Sequence, residues 1–111
     1  MKVINEAVDE VRRQEVKENE HLKNTKYLWL KNPSKLKTWQ KEMIESLVLM
    51  NSKTAKAYQI KVNFSQLFDQ PEKKDGEAFL RHWCLWALDS NLDPIAQAVK
   101  TVRNHWQGIL N

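Results

Sequence analysis

Residues 90–111, SNLDPIAQAVKTVRNHWQGILN, read as an amphipathic helix whose start is written into the sequence. Ser90 or Asn91 can cap it, Pro94 suits the first turn, and Asp93 places a negative charge where the helix dipole favours one. Ile95, Val99, Val102, Trp106 and Ile109 then recur at three- and four-residue steps, which puts them on one face. The usual stop is missing: no Lys or Arg follows Arg103, and Gly108 leads into the apolar pair Ile109 and Leu110. A helix begun this firmly and left open is expected to continue past residue 111, as it would in a segment of a longer chain.

The rest of the composition agrees with a helical reading. In 111 residues there are two Gly and three Pro, too few to supply the turns of an all-β fold, while Lys, Glu, Leu, Ala and Gln are plentiful. With 41% hydrophobic residues and five Trp, the chain can build one modest core. The fold class that follows is all-α, a bundle of five to six helices forming a single domain over residues 1–111. Cys84 has no second cysteine to pair with, and no leader peptide or long apolar run is present, so a cytoplasmic protein is expected.

Outward from the last helix, residues 77–88 are apolar on nearly every side except at Arg81 and His82, which predicts a central helix. A polar loop, Lys73-Lys74-Asp75-Gly76, precedes it, after a break at Asp69-Gln70-Pro71. Two further helices are predicted to form an antiparallel hairpin. The first carries an inward stripe of Leu36, Trp39, Met43, Leu47 and Met50, capped by Ser34 or Thr38. The second opens at Ser52 or Lys53 and turns Ala57, Ile60, Phe64, Leu67 and Phe68 inward, with Lys53, Lys56 and Lys61 largely outward. Residues 1–24 form an N-terminal helix with a short stripe, Ile4, Ala7, Val8 and Val11, and a polar continuation read as a projecting helix or connector. That helix has no capping residue ahead of it, which points to a cut at this end too.

Charge is distributed unevenly. The formal total is +4, but residues 1–30 are neutral, residues 69–111 carry −1, and residues 31–68 carry +5. A positive middle can follow phosphates, although lysines also populate solvated helix faces in general. Chemistry is harder to find. His82 and Cys84 lie two apart on a helix, about 200° around its axis, and cannot both face one metal. Cys84 sits in an apolar helix rather than beside a cation, the setting of an inert thiol. With glycines only at 76 and 108, no phosphate-binding loop or nucleophile elbow can form, and no carboxylates make a convincing acid–base pair. The tryptophans suit core packing; Trp29, beside Lys31, Lys35 and Lys37, is the best placed of them for a surface or partner contact, and packing is the expectation there too.

In order along the chain, several segments resemble the ISL-three-type insertion-sequence transposases, DDE recombinases of bacteria and archaea. Residues 2–15, KVINEAVDEVRRQE, resemble the helix after the family's second catalytic aspartate. Tyr27-Leu28-Trp29-Leu30-Lys31-Asn32-Pro33 is similar to its Leu-Leu-Lys-Asn-Pro element, and Asn51 with Ala57-Tyr58-Gln59-Ile60-Lys61 and Phe64 to its Ala-Tyr-x-Leu-Lys-x-x-Phe stretch. Trp83, Ala87 and the run from Ser90 to Pro94 resemble the Trp-x-x-x-Ala and Ser-x-Leu-x-Pro pieces, and Val102, His105 and Gly108-Ile109-Leu110 the His-x-x-Gly-Ile-Leu ending.

The resemblance implies a helical insertion within a ribonuclease-H-like catalytic fold, with residues 25–111 as the insertion and the run-in to a catalytic glutamate. It places the three metal-binding acids outside this segment. No catalytic or metal-binding residue is therefore carried over, and the segment is expected to be inactive alone. Mg2+ or Mn2+ is implied for the parent enzyme, where two metals would activate the nucleophile of phosphodiester transfer, with no cofactor in this segment. The expected role is DNA contact, synaptic assembly or bracing of the catalytic domain during transposition of a mobile element, in the cytoplasm and on the nucleoid. The expected partner is DNA, transposon end or flank, with a homodimer as a further partner and no membrane. Lys31, Lys35, Lys37, Lys53, Lys56 and Lys61 form the expected DNA face, with Arg12 and Arg13 second. The alternative is a self-contained helical interaction or regulatory module with no enzymatic parent.

Overall fold

The computed structural model describes residues 2–105 and Gly108, with only the backbone of Phe68. The placements expected of Trp106, Ile109, Leu110 and the Phe68 side chain lie outside what is described. Among the described residues there are five α-helices and no strand: α1 (Lys2–Glu15), α2 (Thr38–Leu49), α3 (Lys53–Phe64), α4 (Lys73–Asp89) and α5 (Asp93–Asn104). Short 3-10 turns at Glu20–Leu22, Lys26–Leu28, Pro33–Lys35 and Ser65–Asp69 fill the joins.

The helix at the centre is α3, which packs against α1, α2 and α4, while α5 closes against α1 and α4. Seven of its twelve residues are buried. The prediction that α4 would be central is corrected. Gly76, Leu80, Trp83, Cys84 and Ala87 are buried, but Leu85 is 62% exposed and Trp86 41%. Hydrophobicity says what gains from burial, whereas topology decides which element has neighbours on all sides, and that element is α3.

Other expectations divide in the same way. Ile4, Ala7, Val8 and Val11 of α1 and Ile95, Val99 and Val102 of α5 are buried as the stripes predicted. In α2 the inward face is rotated: Gln40, Ile44 and Leu47 are buried, whereas Trp39 is 59% exposed and Met50 lies outside the core. Gln40 is drawn in because its side chain accepts a hydrogen bond from the Lys37 backbone N–H at 2.8 Å, satisfying a donor at the start of α2. Neither Ser34 nor Thr38 is the cap; Lys37 occupies that position. Helix α4 begins at Lys73, so the expected loop is its first turn. The polar stretch after α1 is anchored, with Leu22 fully buried and Val16 packed on the core.

Three joints turn on asparagine. Asn24, Asn51 and Asn91 have φ of 63°, 58° and 58°, the left-handed region that glycine usually fills, and Asn is the side chain that tolerates it best. Asn51 lets α2 turn into α3, and Asn91 lets α4 turn into α5. Ser90 belongs to the end of α4 rather than the start of α5, since its hydroxyl donates to the Ala87 carbonyl at 2.6 Å. No helix among the described residues is long and apolar enough to cross a membrane.

Candidate nucleic-acid interface

The start of α3 is fixed from a distance. Ser52 caps it, its Oγ accepting from the Ala55 N–H at 3.3 Å, as the sequence suggested. The same hydroxyl donates to Glu15 Oε1 at 2.7 Å, and Thr54 donates to that oxygen from its backbone N–H at 3.0 Å and its hydroxyl at 2.8 Å. Glu15 Oε2 accepts from the Lys53 N–H at 2.7 Å. A carboxylate at the end of α1 thus takes up the free donors of the α3 N-terminus. Burial pushes its pKa up, but the bonds from Thr54, Ser52 and Lys53 outweigh burial and hold it below the ordinary glutamate value.

Further along α3, the helix clasps the turn that precedes α2. Tyr58 donates its hydroxyl to the Lys31 carbonyl at 2.7 Å, and Lys61 Nζ donates to the Trp29 carbonyl at 2.9 Å. Trp29 itself is 1% exposed, packs edge-on against Tyr58 and donates Nε1 to Thr25 Oγ1 at 3.0 Å. The two sequence elements Leu-Trp-Leu-Lys-Asn-Pro and Ala-Tyr-Gln-Ile-Lys are therefore halves of one internal contact. Trp29 is packed, as the tryptophans in general were expected to be, but one expectation is corrected: Lys61, 2% exposed, does not point outward. Its amine lies 5.4 Å from the Tyr58 ring centroid, and burial lowers its pKa. Burial raises that of Tyr58. Lys61 cannot neutralise a phosphate on the surface.

The remaining basic residues fall into separate groups. Lys35 and Lys37 are exposed before α2, with Lys31 half-buried beside them, whereas Lys53 and Lys56 are exposed on the first turn of α3. The length of α2, about 18 Å for twelve residues, lies between the groups. Among the described residues, none of these five lysines forms an ion pair. Arg12 and Arg13 differ: Arg12 Nε lies 3.0 Å from Asp9, and Arg13 lies 2.7 Å from Glu10, so their charge is answered within α1.

Lys53 and Lys56 line a groove of about 490 Å3 with Val48, Gln59 and the α4–α5 turn, and Lys56 Nζ reaches the Ser90 carbonyl at 3.4 Å. Further along α3, Asn63 shares a shallower hollow of about 290 Å3 with Phe79, His82, Trp83 and Trp86 of α4. Trp83 Nε1 donates to the Ile60 carbonyl at 2.9 Å, so α4 runs antiparallel to α3 along both openings. The hollow carried no signal in the sequence beyond the apolar surplus of α4. Cys84 is buried, its thiol pKa raised by burial and only partly offset by the charge of Arg103. Among the described residues, no three His, Cys, Asp or Glu side chains come together as a metal site needs.

The described residues thus form an all-helical body with lysines on its surface that make no ion pair among those residues. The chain belongs to the ISL-three-type DDE transposase family: the model of that family, described as a transposase, matches residues 1–111. No curated protein and no solved structure is significantly similar to it.

Proposed function

We propose that these residues form a non-catalytic helical module of the transposase that contacts the DNA backbone during transposition. The observation that carries this reading is the set of exposed lysines, Lys35, Lys37, Lys53 and Lys56, without carboxylate partners among the described residues while Arg12 and Arg13 are paired within their own helix. Unpaired surface cations are what displaces counterions from phosphates, and they do so without reading sequence. The divalent metal of strand transfer belongs, on this reading, to carboxylates that this segment does not supply.

Fluorescence anisotropy of labelled duplex DNA across a salt series tests the proposal. Binding should weaken linearly in log–log form, and each lysine changed to alanine should lower the slope by about one unit. Lys61→Ala should leave the slope unchanged in the fraction that stays folded. Absence of binding at low salt, or a slope indifferent to the paired variants Lys35→Ala/Lys37→Ala and Lys53→Ala/Lys56→Ala, overturns it.

A second reading, bracing or assembly, is favoured by Leu49, 85% exposed, together with Leu85 and Leu88 on the outer side of α4. Apolar side chains left in water gain from a covering surface. Size-exclusion chromatography tests this reading: concentration-dependent association abolished by Leu85→Asp supports it, and a monomer at every concentration removes self-association from it.

A further inference from the structure

Two separate openings lie along α3. The one at the α3 start is cationic, with Lys53 and Lys56; the other, about two turns further on, is aromatic, with Phe79, His82 and Trp86 beside Asn63. Lys56 and Asn63 are seven residues apart, which places them within about 20° on the same side of α3 and about 10 Å apart along its axis. Phe79, His82 and Trp86 stand at three- and four-residue steps, forming the edge of α4 that faces this side of α3. Leu88 lies about 160° round α4 from Trp86, whereas Leu85, three residues from His82, borders this edge. Asp89, one turn beyond Trp86, makes no ion pair with Lys56 among the described residues, which leaves the lysine charge for an outside anion.

Two cations followed by an aromatic platform match one kind of polymer. A nucleic-acid strand offers phosphates to the lysines and, where a base is unpaired, a planar face to the ring of Trp86. A base inside a duplex is stacked and cannot reach that ring. Asn63 Nδ2 donates to the Gln59 carbonyl at 2.9 Å, which turns the amide oxygen away from that bond and leaves it able to accept from a base edge. We propose that these two openings together take a DNA strand with an unpaired base, Lys53 and Lys56 holding the adjoining phosphates and Trp86 stacking on the base. This proposal rests on the DNA-contact reading above and adds the form of DNA that the site accepts.

The test uses the 111-residue chain with a short single-stranded oligonucleotide carrying 2-aminopurine, and with the duplex of the same sequence. The single strand should bind more tightly than the duplex, with 2-aminopurine fluorescence quenched on binding. Trp86→Ala should lower single-strand affinity by about ten-fold and abolish the quenching, as removal of one stacked base does, with duplex affinity unchanged. Trp86→Phe should restore most of both signals. Lys53→Ala/Lys56→Ala should weaken the two forms alike. Thermal melts accompany each variant, and Trp86, being partly exposed, should leave them unaltered. If Trp86→Ala changes neither form, or both equally, the base site is overturned while the backbone reading stands. If neither form binds at low salt, both readings fall. If Trp86→Ala instead turns a dimer into a monomer with single-strand binding intact, the hollow belongs to a second copy of the chain and the proposal is overturned.

Discussion

Glu15 and Lys61 show how far a charged side chain's role can depart from its sequence setting. Glu15 lies in a charged helical stretch and reads as solvated, yet it accepts four hydrogen bonds from Ser52, Lys53 and Thr54. Its folded pKa lies below the unfolded glutamate value, so its contribution to stability is complete above that value, about 4.3, and is lost as pH falls through the folded pKa. Glu15→Gln should cost about 1–3 kcal/mol at neutral pH in urea unfolding and should flatten the loss of stability on acidification. Lys61 is the converse case. Lys61→Ala strips the Trp29 carbonyl of its donor and should destabilise the fold by about 1–3 kcal/mol, measurable by thermal melts. Lysine is so often exposed that sequence periodicity alone assigned it outward. Only the packing of Tyr58 and Trp29 around its amine explains its burial.

Whole elements were easier to anticipate than single residues. Helices α1 and α5 have polar faces that contrast with their apolar stripes, so their buried sides could be read directly from three- and four-residue spacing. Helix α4 has no such contrast, and nothing in residues 77–88 distinguishes Leu80, which is buried, from Leu85, which is exposed. Trp83→Ala should accordingly cost about 3–5 kcal/mol in chemical denaturation, and Leu85→Ala no more than about 0.5 kcal/mol. The joints give a sharper test. Asn51 sits at φ 58°, a conformation that costs a β-branched residue about 1–2 kcal/mol or more and glycine almost nothing. Asn51→Val should therefore lower the melting temperature while Asn51→Gly leaves it close to wild type. The candidate site was only half legible for a related reason. Lys53 and Lys56 are visible as charges in a helix, but the aromatic hollow beyond them requires α4 to return antiparallel along α3, a long-range arrangement with no local signature.

For the molecule as a whole, one buried cluster runs from Ile4 to Val102 and joins all five helices. Helix α1 takes part in this through its core side chains and through the Glu15 carboxylate that accepts from the start of α3. Native-state hydrogen exchange should place the slowest amides in α3, which is enclosed by three neighbours, and faster ones in α2, whose outer side holds Trp39 and Leu49 in solvent.

The carboxylate of Glu15 also constrains how any nucleic acid can approach. The start of a helix is an anion receptor made of backbone amides, and in α3 the chain has filled that receptor with its own acid. A phosphate cannot dock end-on there without evicting Glu15. On the DNA-contact reading proposed above, Lys53 and Lys56 would grip from the side of the helix through their long side chains. Attachment of that kind would tolerate a strand sliding along its length and favour holding DNA over registering one position on it.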